Sequence, residues 1–265
     1  MDKLKIVLVS YHNSLPFLYG LEHSDFIREN CEIVLKYPSE GAQMLLRKEC
    51  DIALVPVGII PQLKISYIVS KYCIGAEGKV KSVILASQVP LNQITKIYLD
   101  YQSATSVRLV RILAKHHWKI QPEFVDAKPG YELQIKGTVA GVIIGDRTFE
   151  FNDFKYRYDL AEEWINLTGF PFVFATWLAV KPVKAEVKKA LNEALEYGVS
   201  HIEDVIQEYK KSFCPNFNPV EYYTKNISYF LNDQKSKGMN AFIKYVCVMN
   251  RDENDILKRQ LFASK

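Results

Sequence analysis

The sequence predicts an α/β protein of two lobes with a cleft between them, and three observations carry that expectation. Short β-rich runs alternate with helical patterns from Lys5 to Gly141, and a mostly helical stretch follows Val180. Between them, Thr168-Gly-Phe-Pro-Phe-Val-Phe-Ala-Thr-Trp177 runs into the apolar Leu178-Ala-Val180, too apolar for a solvated turn and suited to a chain crossing between lobes.

Composition sets the outer limits. With 265 residues, 48% hydrophobic and 12% aromatic, the chain can build one large core or two smaller ones. Its 34 basic and 30 acidic side chains leave a formal charge of +4, but they are interspersed and form no basic block, which argues against nucleic acid as a partner. The apolar run after Lys5 breaks at Ser10-Tyr-His-Asn-Ser14, too soon for a signal peptide, so it reads as a first strand in a cytoplasmic protein. No stretch approaches the ~20 apolar residues that a membrane-spanning helix needs. Five cysteines at 31, 50, 73, 214 and 247 lack paired spacing and read as reduced thiols.

In chain order, strands are expected at residues 5–9, 32–37, 52–55, 65–73, 80–87, 96–99, 123–126 and 140–144. Helices are expected at 16–20, 41–48, 105–117 and 130–136, and after the crossover at 182–201, 219–231 and 237–248. Residues 182–201 place Val183, Val187, Ala190, Leu191, Ala194 and Leu195 on one face, the pattern of a helix covering a sheet. The division that follows puts residues 1–87 plus 178–265 in the first lobe and 88–177 in the second. The crossings are then expected near 87–91 and 174–179.

Four constellations could carry chemistry. Asn13 and Ser14, in the turn after the first strand, supply neutral hydrogen bonds, or simply cap a helix; His12 beside them reads as a surface histidine. Asp100-Tyr-Gln-Ser-Ala-Thr-Ser106 opens an apolar-periodic helix, and Ser103, Thr105 and Ser106 with the free amides of its first turn can hold an anion. Capping accounts for one of those hydroxyls, and the loop lacks the glycines of a phosphate or dinucleotide site. Ser82 is a hydrogen-bond donor near the cleft, or a half-buried strand serine; no histidine and acid are arranged to make it a nucleophile. Gly145-Asp146 ends a buried strand, where Asp146 either orients a ligand or serves as a cap or salt bridge; Asp51 and Asp159 read as structural. The five histidines show no metal-ligand spacing.

At these positions the chain resembles the menaquinone-biosynthesis chorismate dehydratase family of the futalosine pathway. The matching pieces are Tyr11-His-Asn-Ser-Leu-Pro16, Cys50-Asp-Ile-Ala-Leu-Val-Pro56, Val80-Lys-Ser-Val83, Leu99 to Ser106, Ile144-Gly-Asp146, and Asp159-Leu-Ala-Glu-Glu-Trp164 leading to Trp177. The resemblance implies a type II periplasmic-binding-protein-like fold with a double-crossover hinge. It also implies a cofactor-free and metal-free lyase that eliminates water from chorismate to give 3-[(1-carboxyvinyl)oxy]benzoate. In the implied chemistry a ring proton leaves before the hydroxyl, with the substrate's own enolpyruvyl carboxylate as base. Asn13 and Ser82 match the family's catalytic asparagine and serine; Ser103, Thr105 and Ser106 match its carboxylate-holding turn, with Gly145 and Asp146 at the substrate. Members more often carry Ala or Cys where this chain has Ser14. The implied partner is the small dicarboxylate chorismate, with neither nucleic acid nor membrane, and a homodimer is left open. Two alternatives remain at this point: the sister 1,4-dihydroxy-6-naphthoate synthase of the same pathway, and a non-catalytic organic-anion-binding protein.

Overall fold

In the computed structural model, which describes residues 3–263, the chain builds two mixed sheets with helices packed around them. The elements run β1 (Leu4–Val9), α1 (Leu15–Glu22), α2 (Asp25–Asn30), β2 (Cys31–Lys36), α3 (Pro38–Leu46), β3 (Ile52–Pro56) and β4 (Tyr67–Ala76). Then come β5 (Val83–Ser87), β6 (Lys96–Leu99), α4 (Ala104–Leu113), β7 (Glu123–Asp126), β8 (Val139–Ile144), α5 (Arg147–Glu150), β9 (Tyr156–Asp159) and α6 (Leu160–Thr168). The chain ends with β10 (Phe172–Ala179), α7 (Ala185–Ser200), α8 (Ile202–Tyr209), α9 (Pro219–Glu221), β11 (Ser228–Phe230) and α10 (Asp233–Ala263).

The first sheet has the order β11-β4-β10-β3-β1-β2, and the second β7-β6-β8-β5-β9. Within each sheet the strands followed by crossover helices pair in parallel, as β1 does with β2 and β3, and β6 with β7 and β8. The strands next to the crossings run the other way: β10 is antiparallel to β3 and β4, and β5 to β8 and β9. β10 is buried at all eight residues, as the aromatic and β-branched run required, and lies at the centre of the first sheet.

The sheets correct the expected division of the chain. Val83–Ser87, expected in the first lobe, pairs only with strands of the second sheet, and Phe172–Trp177, expected in the second, belongs to the first. The chain therefore passes from sheet to sheet at residues 77–82 and returns at 160–171, not at 87–91 and 174–179. The cause is local: Glu77-Gly78-Lys79 breaks the apolar pattern, and residues 80–82 form a turn ahead of β5 rather than its first residues. Two expected helices also differ. Residues 130–136 hold only a 3-10 turn, Tyr131–Gln134, after Gly130 in the left-handed region. Residues 219–231 start as a helix, pass through a π-helical turn, Tyr222–Asn226, and end as the strand β11.

The covering helices approach one another closely. α1 crosses α7 at Gly20 and Gly198, where a Cβ on Gly198 would come within 1.7 Å of the Pro16 carbonyl oxygen and one on Gly20 within 1.9 Å of that of Ala194. Backbone contact of that kind admits only glycine. Among the described residues no helix is long and apolar enough to cross a membrane. All five cysteines are free thiols, with Cys31, Cys50 and Cys73 buried.

Candidate active site

A cleft lies where the two sheets face each other. Its walls are largely apolar, with Val9, Ile74, Val80, Val83, Ile144 and Phe174 among them, and its polar groups are Tyr11, Asn13, Ser82, Ser103 and Ser106, with Gly145 at one side. No charged side chain is among the lining residues.

Asn13 enters on a 3-10 turn, His12–Ser14, at the carboxyl end of β1. The Ser14 hydroxyl donates to Asn13 Oδ1 at 3.0 Å, and the Tyr229 hydroxyl donates to the Asn13 carbonyl at 3.0 Å, so both the amide and its backbone are held. Ser14 thus fixes the orientation of the asparagine.

Ser82 enters from the first crossing. Asp159 caps α6 through the amides of Ala161 and Glu162 and also accepts from the amides of Val80 (3.2 Å) and Lys81 (2.7 Å). These bonds hold Lys81 at a φ of 62°, a left-handed conformation that a non-glycine residue adopts only when its surroundings impose it. The kinked turn directs the buried Ser82 to the cleft, where its hydroxyl accepts from Tyr222 Oη at 2.6 Å. The Asn13 side chain also lies near Tyr222, which thus stands beside both residues that the sequence marked separately.

The facing wall is the start of α4. Ser103 Oγ accepts the Ser106 amide at 3.0 Å, as an N-cap should, and donates to Ser106 Oγ at 2.9 Å, which leaves the Ser106 proton for a ligand. The loop before it is a scaffold. Asp100 accepts the Gln102 amide at 2.7 Å, and Gln102 Oε1 accepts from Tyr11 Oη at 2.6 Å and from Arg147 at 2.7 Å. Arg147 is committed to Asp100 and Glu132 and does not line the cleft. Burial raises the Asp100 carboxyl pKa, with the Arg147 charge opposing it.

Five of the seven expected site residues, Asn13, Ser82, Ser103, Ser106 and Gly145, thus share one cleft. Gly145 has a φ of +64° and sits under the Tyr11 ring, where a Cβ would fall 2.7 Å from Cε1. Two residues stand elsewhere. Thr105 Oγ1 donates to the Phe174 carbonyl at 3.0 Å and accepts the Gly58 amide at 3.0 Å, so its hydroxyl joins the lobes and is not free for a carboxylate. Asp146 lies beside the cleft and accepts the His12 amide at 3.0 Å. His12, expected on the surface, has a side chain only 12% exposed, 3.5 Å from Asp146 and packed against Phe213 and Phe217. Burial favours the uncharged form of both, raising Asp146 to about 7 and lowering His12 to about 4. Tyr222 and Tyr229 carried no sequence signal; they reach the site from more than a hundred residues away in a segment that read as plain helix.

Two lobes on separate mixed sheets, joined by two crossings and closed over a neutral cleft, define a protein with the periplasmic-binding-protein-like fold. The chain belongs to the menaquinone biosynthesis family, whose model matches residues 4–247. It is 26% identical to the chorismate dehydratase of Thermus thermophilus over 274 aligned residues, covering 89% of this chain and 92% of that one. Among solved structures, protein AF1704 of Archaeoglobus fulgidus superposes with a TM-score of 0.71 at 13% identity, covering 95% of this chain and 98% of its own. The Candida albicans CA3427 gene product, described as exhibiting the generic periplasmic binding protein fold, gives 0.68 at 13% identity over 94% and 91% of the two chains.

Proposed function

We propose that this protein is a chorismate dehydratase, eliminating water from chorismate to form 3-[(1-carboxyvinyl)oxy]benzoate for menaquinone synthesis by the futalosine route. The observation that carries the reading is the meeting of Asn13, from the turn after β1, and Ser82, from the first crossing, at one apolar cleft, in a chain similar over most of its length to a chorismate dehydratase.

The reaction breaks one ring C–H bond and the ring C–OH bond, completes the aromatic ring and releases water. Its demands on the protein are orientation and hydrogen bonding rather than a strong base, because the substrate's enolpyruvyl carboxylate takes the ring proton and returns it to the departing hydroxyl, which leaves as water. Asn13 and Ser82 stand at the reacting centre as neutral donors, for the developing negative charge and the departing hydroxyl. Ser106 and the first-turn amides of α4 hold a carboxylate by hydrogen bonds and the helix dipole, without a cationic side chain. Val80, Val83, Ile144 and Phe174 keep water out, which strengthens each of these bonds. The two lobes close over the substrate through Thr105 and the His12–Asp146 tie.

The test is incubation of purified protein with chorismate, without added metal or nicotinamide, followed by chromatography with mass detection. Enzyme-dependent appearance of a product one water lighter than chorismate supports the reading. Unchanged chorismate in the presence of folded protein refutes it and favours the sister naphthoate synthase or a binding protein.

A further inference from the structure

The segment 213–226, between α8 and β11, forms a strap that packs on both lobes. On the first-lobe side, Phe213 and Phe217 lie against the His12 ring at centroid distances of 5.2 and 4.9 Å. On the second-lobe side, Phe149 of α5 meets Phe217 at 4.9 Å and Tyr222 at 5.4 Å. Polar ties run the same way. Asn216 donates to the Phe149 carbonyl at 3.3 Å, Lys81 pairs with Glu221 at 2.6 Å, and Asn226 donates to the Lys79 carbonyl at 3.0 Å. At its centre the strap adopts a π-helical turn, an uncommon conformation that recurs at functional positions, and this turn begins at Tyr222.

We propose that Tyr222 is a positioning residue that acts through Ser82, and that docking of the strap completes the site. Tyr222 Oη donates to Ser82 Oγ at 2.6 Å. A serine hydroxyl has one proton, so an oxygen that accepts from Tyr222 directs its own proton elsewhere, and for the buried Ser82 the open direction is the cleft. The Asn13 side chain lies near Tyr222 as well. Tyr222 thus sets the direction of the Ser82 proton from a position next to Asn13. Without Tyr222 the Ser82 hydroxyl is free to rotate. Tyr222 also lines a second recess of mixed charge, with Lys79, Lys81, Arg157, Asp159 and Glu221.

The kinetic part of the test rests on the dehydratase reading; the other part does not. In the full chain, Tyr222→Phe keeps the ring packing and removes only the hydroxyl. With chorismate as substrate, kcat should fall about ten- to hundredfold with KM within about twofold, while Tyr222→Phe added to Ser82→Ala should cost nothing further. Additive losses, or wild-type kcat in Tyr222→Phe, would overturn the proposal. The same cycle read by hydrogen exchange on ligand-free protein needs no substrate. Each single variant should speed exchange of the 213–226 amides about tenfold relative to β1, and the double variant should match them. Unchanged strap exchange in Tyr222→Phe, or additive acceleration in the double variant, would overturn the proposal even if chorismate proves not to be the substrate. A wild-type protein inert to chorismate but showing the coupled exchange would refute the dehydratase reading alone.

Discussion

At Ser82 a neutral side chain acquires direction from its neighbours: a strained turn pinned by Asp159 aims it, and Tyr222 occupies its acceptor side. Asn13 is held in the same manner by Ser14 and Tyr229. Motifs in the sequence led to both residues, because their types and order along the chain are those of the family. The tyrosines that hold them were not legible, since a contact between residues 140 apart leaves no local pattern. Asp146 carries a pH prediction. Burial raises its folded-state pKa from 3.8 to about 7, so the folded protein keeps a proton that the unfolded chain gives up. That contribution to stability is complete below about pH 4 and is lost as pH rises through 7. Asp146→Asn retains an acceptor for the His12 amide but does not titrate. The wild-type Tm minus the variant Tm should therefore decrease between pH 4 and pH 8, with His12 present in both; a constant difference would show that Asp146 ionises freely.

Among the elements, the start of α4 separates capping from binding. Ser103 and Ser106 face the cleft, whereas Thr105 bridges Gly58 and Phe174. Thr105→Val leaves a buried amide and carbonyl unpaired, so stability should drop by about 1–3 kcal/mol, measured by denaturant unfolding, with KM for chorismate within about twofold of wild type. A tenfold rise in KM at unchanged stability would return Thr105 to the carboxylate site. The α1–α7 crossing gives a purely structural prediction. Gly198→Ala forces the helices apart and should lower Tm by about 5 °C or more, against no change if the crossing were loose. Strong patterns were legible at this scale: β10 by its aromatic run, and α7 by its apolar face at Val187, Leu191 and Leu195. Weak ones misled. Residues 219–231 read as one helix because Pro219 and Glu221 mark a helix start, but Asn226 and the alternating Ile227-Ser-Tyr229 end it and begin β11.

For the whole molecule, the two-lobed design was legible because an α/β series is interrupted by a buried crossover and then turns helical. The crossing points were not, because the first change of sheet falls in a turn, residues 77–82, beside a strand whose apolar residues would suit either sheet. Moving the boundary matters for the site, since it makes Ser82 a residue of the crossing itself. The cleft is thereby assembled from β1 and the turn after it, the first crossing, the start of α4, the end of β8 and β10, with Tyr222 of the strap bonded to Ser82 from outside the lining. The most direct test of this account is chorismate turnover by wild type, Asn13→Ala and Ser82→Ala side by side, with folding of each verified by thermal unfolding. The account predicts conversion of chorismate by the wild type and a kcat lower by about a hundredfold or more in each folded variant. Wild-type rates in either variant, or a folded wild type that leaves chorismate unchanged, would contradict it.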